Sequence, residues 1–299
     1  MFKKITIEDK ELYERYINKE DFFSCEYSLA TLIMWQKSNK IKYDILDNTF
    51  ILKKYSYNFG EYFMEPLGII DDLKLERLIL NLKSYREYKG NNWLFGDVSL
   101  NFLKRLKNLY KENLIYKEEE NSFDYIYNFE DLKILNGSNF KKKRNKYNFF
   151  KKHYDYNIKL SREISLEEEA ELFSYLRKWY ILNKKEEGFF LEEVEGTFYL
   201  LKNLKKLNLD LFRLYVEGIL IGFSIGERFN SKIYIIHVEK SLKEFKGSYA
   251  FINREFLLSL NYDIKYVNRE EDLGILCLKK AKIEYRPVFF EKKYLIKIN

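Results

Sequence analysis

"DLFRLYVEGILIGFSIGE" (residues 210–227) reads as two apolar strands joined at Glu217-Gly218. Branched and aromatic residues crowd both arms, and the dipeptide between them tolerates the left-handed backbone that a two-residue hairpin turn demands. A second stretch of the same kind, "IKYDILDNTFILKKY" (41–55), turns at Asp47-Asn48. Each hairpin is followed by strand, helix, strand, helix, strand. After the later one come "SKIYIIHVEK" (231–240), a helix over 248–260, the strand "DIKYV" (263–267), a helix over 271–282, and a closing strand within 285–298. After the earlier one come a strand near 60–68, a helix over 71–88, the strand "NWLFG" (92–96), a helix over 99–110, and a strand with its exit at 123–132. Each half also opens on a helix, "EYSLATLIMWQ" (26–36) and "SLEEEAELFSYLRKWYIL" (165–182), where Ser165 and Glu168 have the spacing of a capping box. The order of elements predicts a duplicated α/β unit.

A helical opening, an antiparallel meander and then strand-helix-strand-helix-strand resembles the GNAT acyltransferase fold. The fold class expected is α/β (α+β): two tandem GNAT-like lobes, each a mixed, largely antiparallel central sheet flanked by helices. The lobes are placed at 1–130 and 161–299, with a basic connecting helix over 131–160.

Bulk composition narrows the function classes. With 46% hydrophobic and 33% charged residues over 299 positions, the chain is globular and long enough for two cores. Its apolar runs, "GILIGFSIG" and "IYIIHV", are about half of the roughly 18–20 residues a membrane span requires. The N-terminus carries acids within its first ten residues and no apolar segment, which argues against a signal peptide. A cytoplasmic protein is expected. Cys25 and Cys277 both sit in apolar helical patterns and read as buried, unpaired thiols. Two histidines and two cysteines do not have zinc-site spacing, so no metal is expected.

The net charge of +7 is locally concentrated. "LNGSNFKKKRNKYNFFKKHYDY" (135–156) places Phe140, Tyr147, Phe150 and Tyr154 on one helical face, leaving most of its cations on the other. Such a helix serves either as a solvated linker or as a phosphate contact, and Lys142, Arg144 and Asn145 are the residues expected to face a ligand.

Chemistry is expected in the second half. Strand alternation puts His237 and Glu239 on one face, a base with its orienting carboxylate; either one is a candidate base. Lys246, Gly247 and Ser248 open a helix whose unpaired N–H groups suit a pyrophosphate or an oxyanion. Asn268 is read as the cap of the helix starting near Glu271. Arg269, Glu270 and Glu271 then lie at the carboxyl end of a strand, where ligands bind in such sheets. Glu271 and Asp272 also suit a helix N-terminus as plain stabilisers.

Four segments, "NGSNFKKKRNKYNFF", "IIHVEK", "KGSYAFINREF" and "YVNREEDLGILCLKKAKIEYRP", together resemble the phosphatidylglycerol lysyltransferase C-terminal domain family, as does "SLATLIMWQKSNKIKYDILDNTFIL" near the N-terminus. The resemblance implies a tandem GNAT-like fold and transfer of an aminoacyl group from aminoacyl-tRNA to a lipid headgroup. By that resemblance Glu239, Asn268, Arg269, Glu270 and Glu271 line the cleft, and the basic helix faces the tRNA acceptor end or another phosphate. Peripheral contact with a membrane is a further expectation. Two other readings stand beside it: an acyl-CoA-dependent N-acetyltransferase, for which the single glycine near 247 is a sparse cradle, and a non-catalytic relative that binds nucleotide, RNA or protein.

Overall fold

The computed structural model describes residues 1–89, 93–183 and 190–299, which form two compact units. The first comprises Met1–Phe123 with Glu291–Asn299, and the second Asp124–Phe290.

In the first unit β1 (Lys3–Lys4), α1 (Lys10–Tyr16) and α2 (Leu29–Met34) precede the meander β2 (Lys42–Leu46), β3 (Thr49–Ser56) and β4 (Gly60–Phe63). Then follow α3 (Asp72–Lys89), β5 (Phe95–Val98), α4 (Leu100–Tyr110) and β6 (Leu114–Glu118). The predicted "NWLFG" strand is thus registered slightly later, and its Asn92 lies outside the described residues. The second unit runs β7 (Asp124–Asn128), α5 (Phe129–Ile134), α6 (Lys141–His153), β8 (Tyr156–Ser161), α7 (Leu166–Asn183), α8 (Phe190–Lys202), α9 (Leu204–Leu207), β9 (Asp210–Val216), β10 (Ile219–Arg228), β11 (Ile233–Ser241), α10 (Ser248–Ser259), β12 (Tyr266–Asn268), α11 (Leu276–Ile283) and β13 (Phe289–Glu291). The last strand, β14 (Tyr294–Ile298), returns to the first sheet.

Both hairpins turn where the sequence places them. Asp47 and Asn48 have φ of 46° and 59°, and Glu217 and Gly218 have 50° and 78°, so in each turn both central residues are left-handed, as the type I′ geometry requires. The Ser165 box is also formed. The Glu168 amide donates to Ser165 Oγ at 3.2 Å, and the Ser165 amide donates to Glu168 Oε2 at 3.1 Å.

The two seven-stranded sheets have the orders β1-β2-β3-β4-β5-β14-β6 and β8-β9-β10-β11-β12-β7-β13. In each, an antiparallel meander meets a parallel pair, β4 with β5 or β11 with β12. Beyond that pair, each sheet takes in a strand from the other half of the chain: β14 lies between β5 and β6, and β7 between β12 and β13. The units therefore trade one strand each, which is why their boundaries fall at 123 and 290 and not in the basic segment.

That segment belongs to the second unit. Phe140, Tyr147 and Phe150 of the α6 region are buried in one core with Phe251, Phe256 and Phe212, and Tyr154 packs against it. The aromatic face is as predicted. It docks α6 on α10.

Candidate functional site

The parallel pair β11 and β12 is short. Ile233 faces Tyr266 and Ile235 faces Asn268, after which β12 ends while β11 continues to Ser241. Beyond the last pair the two strands no longer share hydrogen bonds, and side chains from 237 to 239 meet the loop that follows Asn268.

His237 lies at a β-bulge. Along β10, Ile225 pairs with Val238 and Gly226 with Ile236, so His237 has no opposite residue. Bulges of this kind re-aim a side chain next to a site. The buried imidazole is held at both ends, with Nδ1 at 2.9 Å from Glu270 Oε1 and Nε2 at 3.2 Å from Glu227 Oε1. Burial alone disfavours the charged ring, but the two carboxylates outweigh it and push its pKa up to about 9. At neutral pH His237 is therefore a cation clamped by two acids. This corrects the expected pairing of His237 with Glu239: the orienting groups are Glu227 and Glu270.

Glu239 has other partners. Arg269 Nη2 donates to its Oε1 at 3.0 Å and Asn253 Nδ2 to its Oε2 at 3.1 Å. Arg269 lies over the rings of Tyr285 and Tyr127, at 4.7 and 5.7 Å from their centroids. Burial opposes its charge, yet Glu239 raises its pKa above the ordinary arginine value. Two buried atoms in this cluster have no hydrogen-bond partner among the described residues: Arg269 Nη1 and Asn253 Oδ1.

The loop itself is built differently from the helical start expected of it. Asn268 is fully buried; its Nδ2 donates to Asp124 Oδ2 at 2.8 Å and its Oδ1 accepts from the Glu270 amide at 2.7 Å. It anchors the loop and caps no helix, because α11 begins only at Leu276. Glu270 and Leu273 take left-handed φ of 57° and 55°. Asp272 accepts from the Gly274 amide at 2.8 Å and from the Tyr125 hydroxyl, so both acids beyond Glu270 lie in the loop and not in a helical turn. Lys282 Nζ gathers the carbonyls of Arg269, Glu270 and Glu271 at 2.6, 3.2 and 2.5 Å. Burial, with Arg269 nearby, lowers the Lys282 pKa despite the carboxylates around it. Glu271 itself is half-buried.

The basic helix contributes one residue inward, and it is not one of those expected. Lys143 is buried, paired with Glu284 Oε2 at 2.9 Å and placed 4.1 Å from the Tyr285 centroid. Burial lowers its pKa more than Glu284 raises it, and Arg269 is among the charges it feels. Lys142 and Asn145 are exposed, while Arg144 donates to the carbonyls of Leu135 and Gly137. Of the cations on this helix, Lys143 is the buried one, one position from the expected Lys142.

At the start of α10, Lys246 is exposed and Ser248 Oγ approaches the Leu242 carbonyl at 3.4 Å. Gly247 has φ of 93°, and a Cβ added there would lie 2.3 Å from the Lys146 carbonyl oxygen. The glycine thus lets the α6 backbone press against this turn. Cys277 on α11 is exposed, unlike the buried thiol expected; Cys25 is buried.

The sequence reading missed Glu227, Asn253, Lys143, Asp124 and Lys282. Asn253 had a signal, being a polar residue amid the apolar positions of "YAFINREF". Glu227 had none, since its reach to His237 depends on the bulge.

Comparison with known proteins agrees with this architecture. A Bacteroides thetaiotaomicron protein of unknown function shares 30% identity over 100% of this chain and 99% of its own, with a TM-score of 0.89. The C-terminal domain of an Agrobacterium fabrum protein named for lysylphosphatidylglycerol synthetase is 14% identical, with a TM-score of 0.65, covering 96% of this chain and 92% of that one. The L-PGS of Bacillus licheniformis is likewise 14% identical, with a TM-score of 0.64, covering 97% and 92%. An uncharacterised Mycoplasmoides gallisepticum protein is 29% identical over 203 residues, which are 66% of this chain and 62% of that protein. The chain thus spans less than two thirds of the length of that curated relative. A family profile matches residues 19–297, and the chain belongs to the family it describes: phosphatidylglycerol lysyltransferase, C-terminal.

Proposed function

We propose that this protein is an acyltransferase that moves an aminoacyl group from aminoacyl-tRNA to a hydroxyl or amine acceptor, with its chemistry in the second unit. The observation that carries the reading is the cluster of Glu239, Arg269 and Asn253, in which a buried guanidinium nitrogen and a buried amide oxygen have no partner among the described residues. An unsatisfied buried polar atom costs about 1–3 kcal/mol, so a fold that keeps two on residues sharing Glu239 has a use for them. Arg269 Nη1 is a donor suited to a carbonyl oxygen on its way to an oxyanion. Glu239 is an acceptor for the proton of the attacking group.

In this mechanism the acceptor's oxygen or nitrogen attacks the ester carbonyl and its proton passes to Glu239. The new bond to carbon forms while the carbonyl oxygen takes the electron pair and a hydrogen bond from Arg269. Collapse breaks the ester bond, and the departing ribose oxygen takes the proton from Glu239. No covalent enzyme intermediate is needed. His237, held as a cation, serves to fix Glu270 and with it the loop bearing Arg269.

Coenzyme A is a less well supported donor. The turn at Gly247, which a pyrophosphate cradle requires to be open, is pressed by the backbone of α6. As acceptor, the names of the relatives suggest a lipid headgroup; among the described residues no helix is long and apolar enough to cross a membrane.

The test is single-turnover transfer from a radiolabelled aminoacyl-tRNA pool to phosphatidylglycerol vesicles or to a soluble amine. Arg269→Met is expected to slow transfer by roughly 100- to 1,000-fold, the usual effect of losing an oxyanion donor. Glu239→Gln, which keeps the hydrogen-bonding shape, is expected to slow it while leaving tRNA affinity within about twofold. Unchanged rates in both variants would refute the assignment, as would a wild-type protein that neither transfers from charged tRNA nor is stabilised by it.

A further inference from the structure

Nothing in the proposed chemistry uses the first unit, yet that unit holds a cavity of about 480 Å³ lined by Phe2, Leu46, Lys53, Leu82 and Tyr85 among others. This is the size of an ordinary small-molecule site. Its walls are mostly hydrocarbon, and at its base stands a lysine that is only 5% exposed.

Lys53 Nζ donates to Tyr85 Oη at 2.8 Å and to Glu61 Oε1 at 3.1 Å. An ammonium group carries three N–H bonds, so one remains. Because Tyr85 Oη accepts from the lysine, its own proton is free to point elsewhere, and neither group has a further hydrogen-bond partner among the described residues. Two donors, one of them cationic, thus sit together at an apolar hollow. Glu61, whose side chain is 32% exposed, pairs with Lys53 but does not line the cavity. The carboxylate that does line it, Asp44, is engaged by the Met1 ammonium group at 2.8 Å.

A lysine retained only for structure needs its one acidic neighbour and no vacant volume. We propose that this cavity is a binding site for a monocarboxylate with an apolar body, such as a medium-chain fatty acid. The carboxylate takes the third N–H of Lys53 and the hydroxyl of Tyr85, and the chain lies against Phe2, Leu46 and Leu82. Charge-assisted bonds in a partly dry site are the strong kind, which gives acid a clear advantage over an alcohol of equal length.

The probe is octanoate, titrated calorimetrically into the full chain below its micellar range, with octanol as the neutral control. Saturable binding at one site is expected, with octanol at least 10-fold weaker. Lys53→Met and Tyr85→Phe should each weaken octanoate by 10-fold or more, and Leu46→Trp, which fills the hollow from a half-buried position, should abolish it. Thermal melts check that each variant folds; should Lys53→Met not fold, Tyr85→Phe and Leu46→Trp decide. Non-saturable uptake by the wild type, equal affinity for octanol, or undiminished binding by Leu46→Trp would each overturn the proposal.

Discussion

In the first unit Lys54 reaches Asp97 at 2.7 Å and Glu26 at 2.5 Å, Lys293 reaches Glu26 at 2.9 Å, and the Tyr62 hydroxyl donates to Asp97 at 2.8 Å. In the second, Arg269 and Asn253 share Glu239 and each keeps an unused atom. Both clusters combine buried and half-buried groups, with Glu26, Lys54 and Lys293 buried in one and Asn253 in the other, and both lie in sheets of the same strand order. Among the described residues, no buried side-chain atom of the first cluster lacks a hydrogen bond, whereas Arg269 Nη1 and Asn253 Oδ1 of the second do. Charges matched two against two hold a fold together; charges left one bond short are equipped to meet something else. The first cluster should accordingly be read out in stability and the second in chemistry.

The largest expected effect tests the first half of that contrast. Lys54→Met leaves Asp97 without its cation and Glu26 with Lys293 alone, in a place where Lys54 is 4% exposed. Breaking a buried pair from one side costs about 3–5 kcal/mol. Urea unfolding should show a loss in this range; a loss below about 1 kcal/mol would mean that the cluster is not what stabilises the unit.

Protons give a second contrast, between Glu26 of the first unit and His237 of the second. The two lysines around Glu26 overcome its burial and hold its pKa at about 2, below the ordinary 4.5. Its stabilisation is therefore complete above 4.5 and is lost as the pH falls toward 2. His237 has the opposite sense: with its pKa raised from 6.5 to about 9, its contribution is full below 6.5 and disappears as the pH rises to 9. The size is roughly 3 kcal/mol, at about 1.4 kcal/mol per unit. Glu65, raised to about 7 by burial against the bonds from Ser99, also lowers stability as the pH rises, but over 4.5 to 7. Unfolding free energies between pH 7 and 9 should thus fall in the wild type and stay nearly level in His237→Gln. Parallel slopes for the two proteins would show that His237 is not held as a cation.

What the sequence disclosed, and what it withheld, follows the reach of each interaction. The turns at Asp47-Asn48 and Glu217-Gly218, the Ser165 capping box and the buried face of α6 depend on residues within a few positions of one another, and all were legible. The exchange of β7 and β14 was not, because two apolar strands carry no mark of which sheet they will join. Helix α11 is expected near residue 271 because Asn268 is a good capping residue and Asp272 suits the first turn of a helix. Their side chains bind the amides of Glu270 and Gly274 instead, the local competition by which such residues favour loops over helices. His237 and Glu239 were paired by strict alternation, which the bulge opposite Ile225 and Gly226 breaks. Lys143 was missed in favour of Lys142 because one residue is 100° of helix, and composition does not set the phase.

That phase also gives the smallest of the expected effects and the finest division between the two roles. Lys143 is locked to Glu284 and Tyr285, whereas Lys142 is exposed on the same helix. An exposed substitution away from any partner usually changes stability by less than about 0.5 kcal/mol. Lys142→Gln should therefore unfold with the wild type. If α6 meets the phosphates of a tRNA, the same substitution should weaken tRNA binding and reduce the slope of log affinity against log salt by nearly one, the share of a single phosphate contact. A variant that matches the wild type in stability and also in salt dependence would make the outer face of α6 a solvated surface, leaving the cations turned inward, Lys143 and Arg269, as those available to the donor.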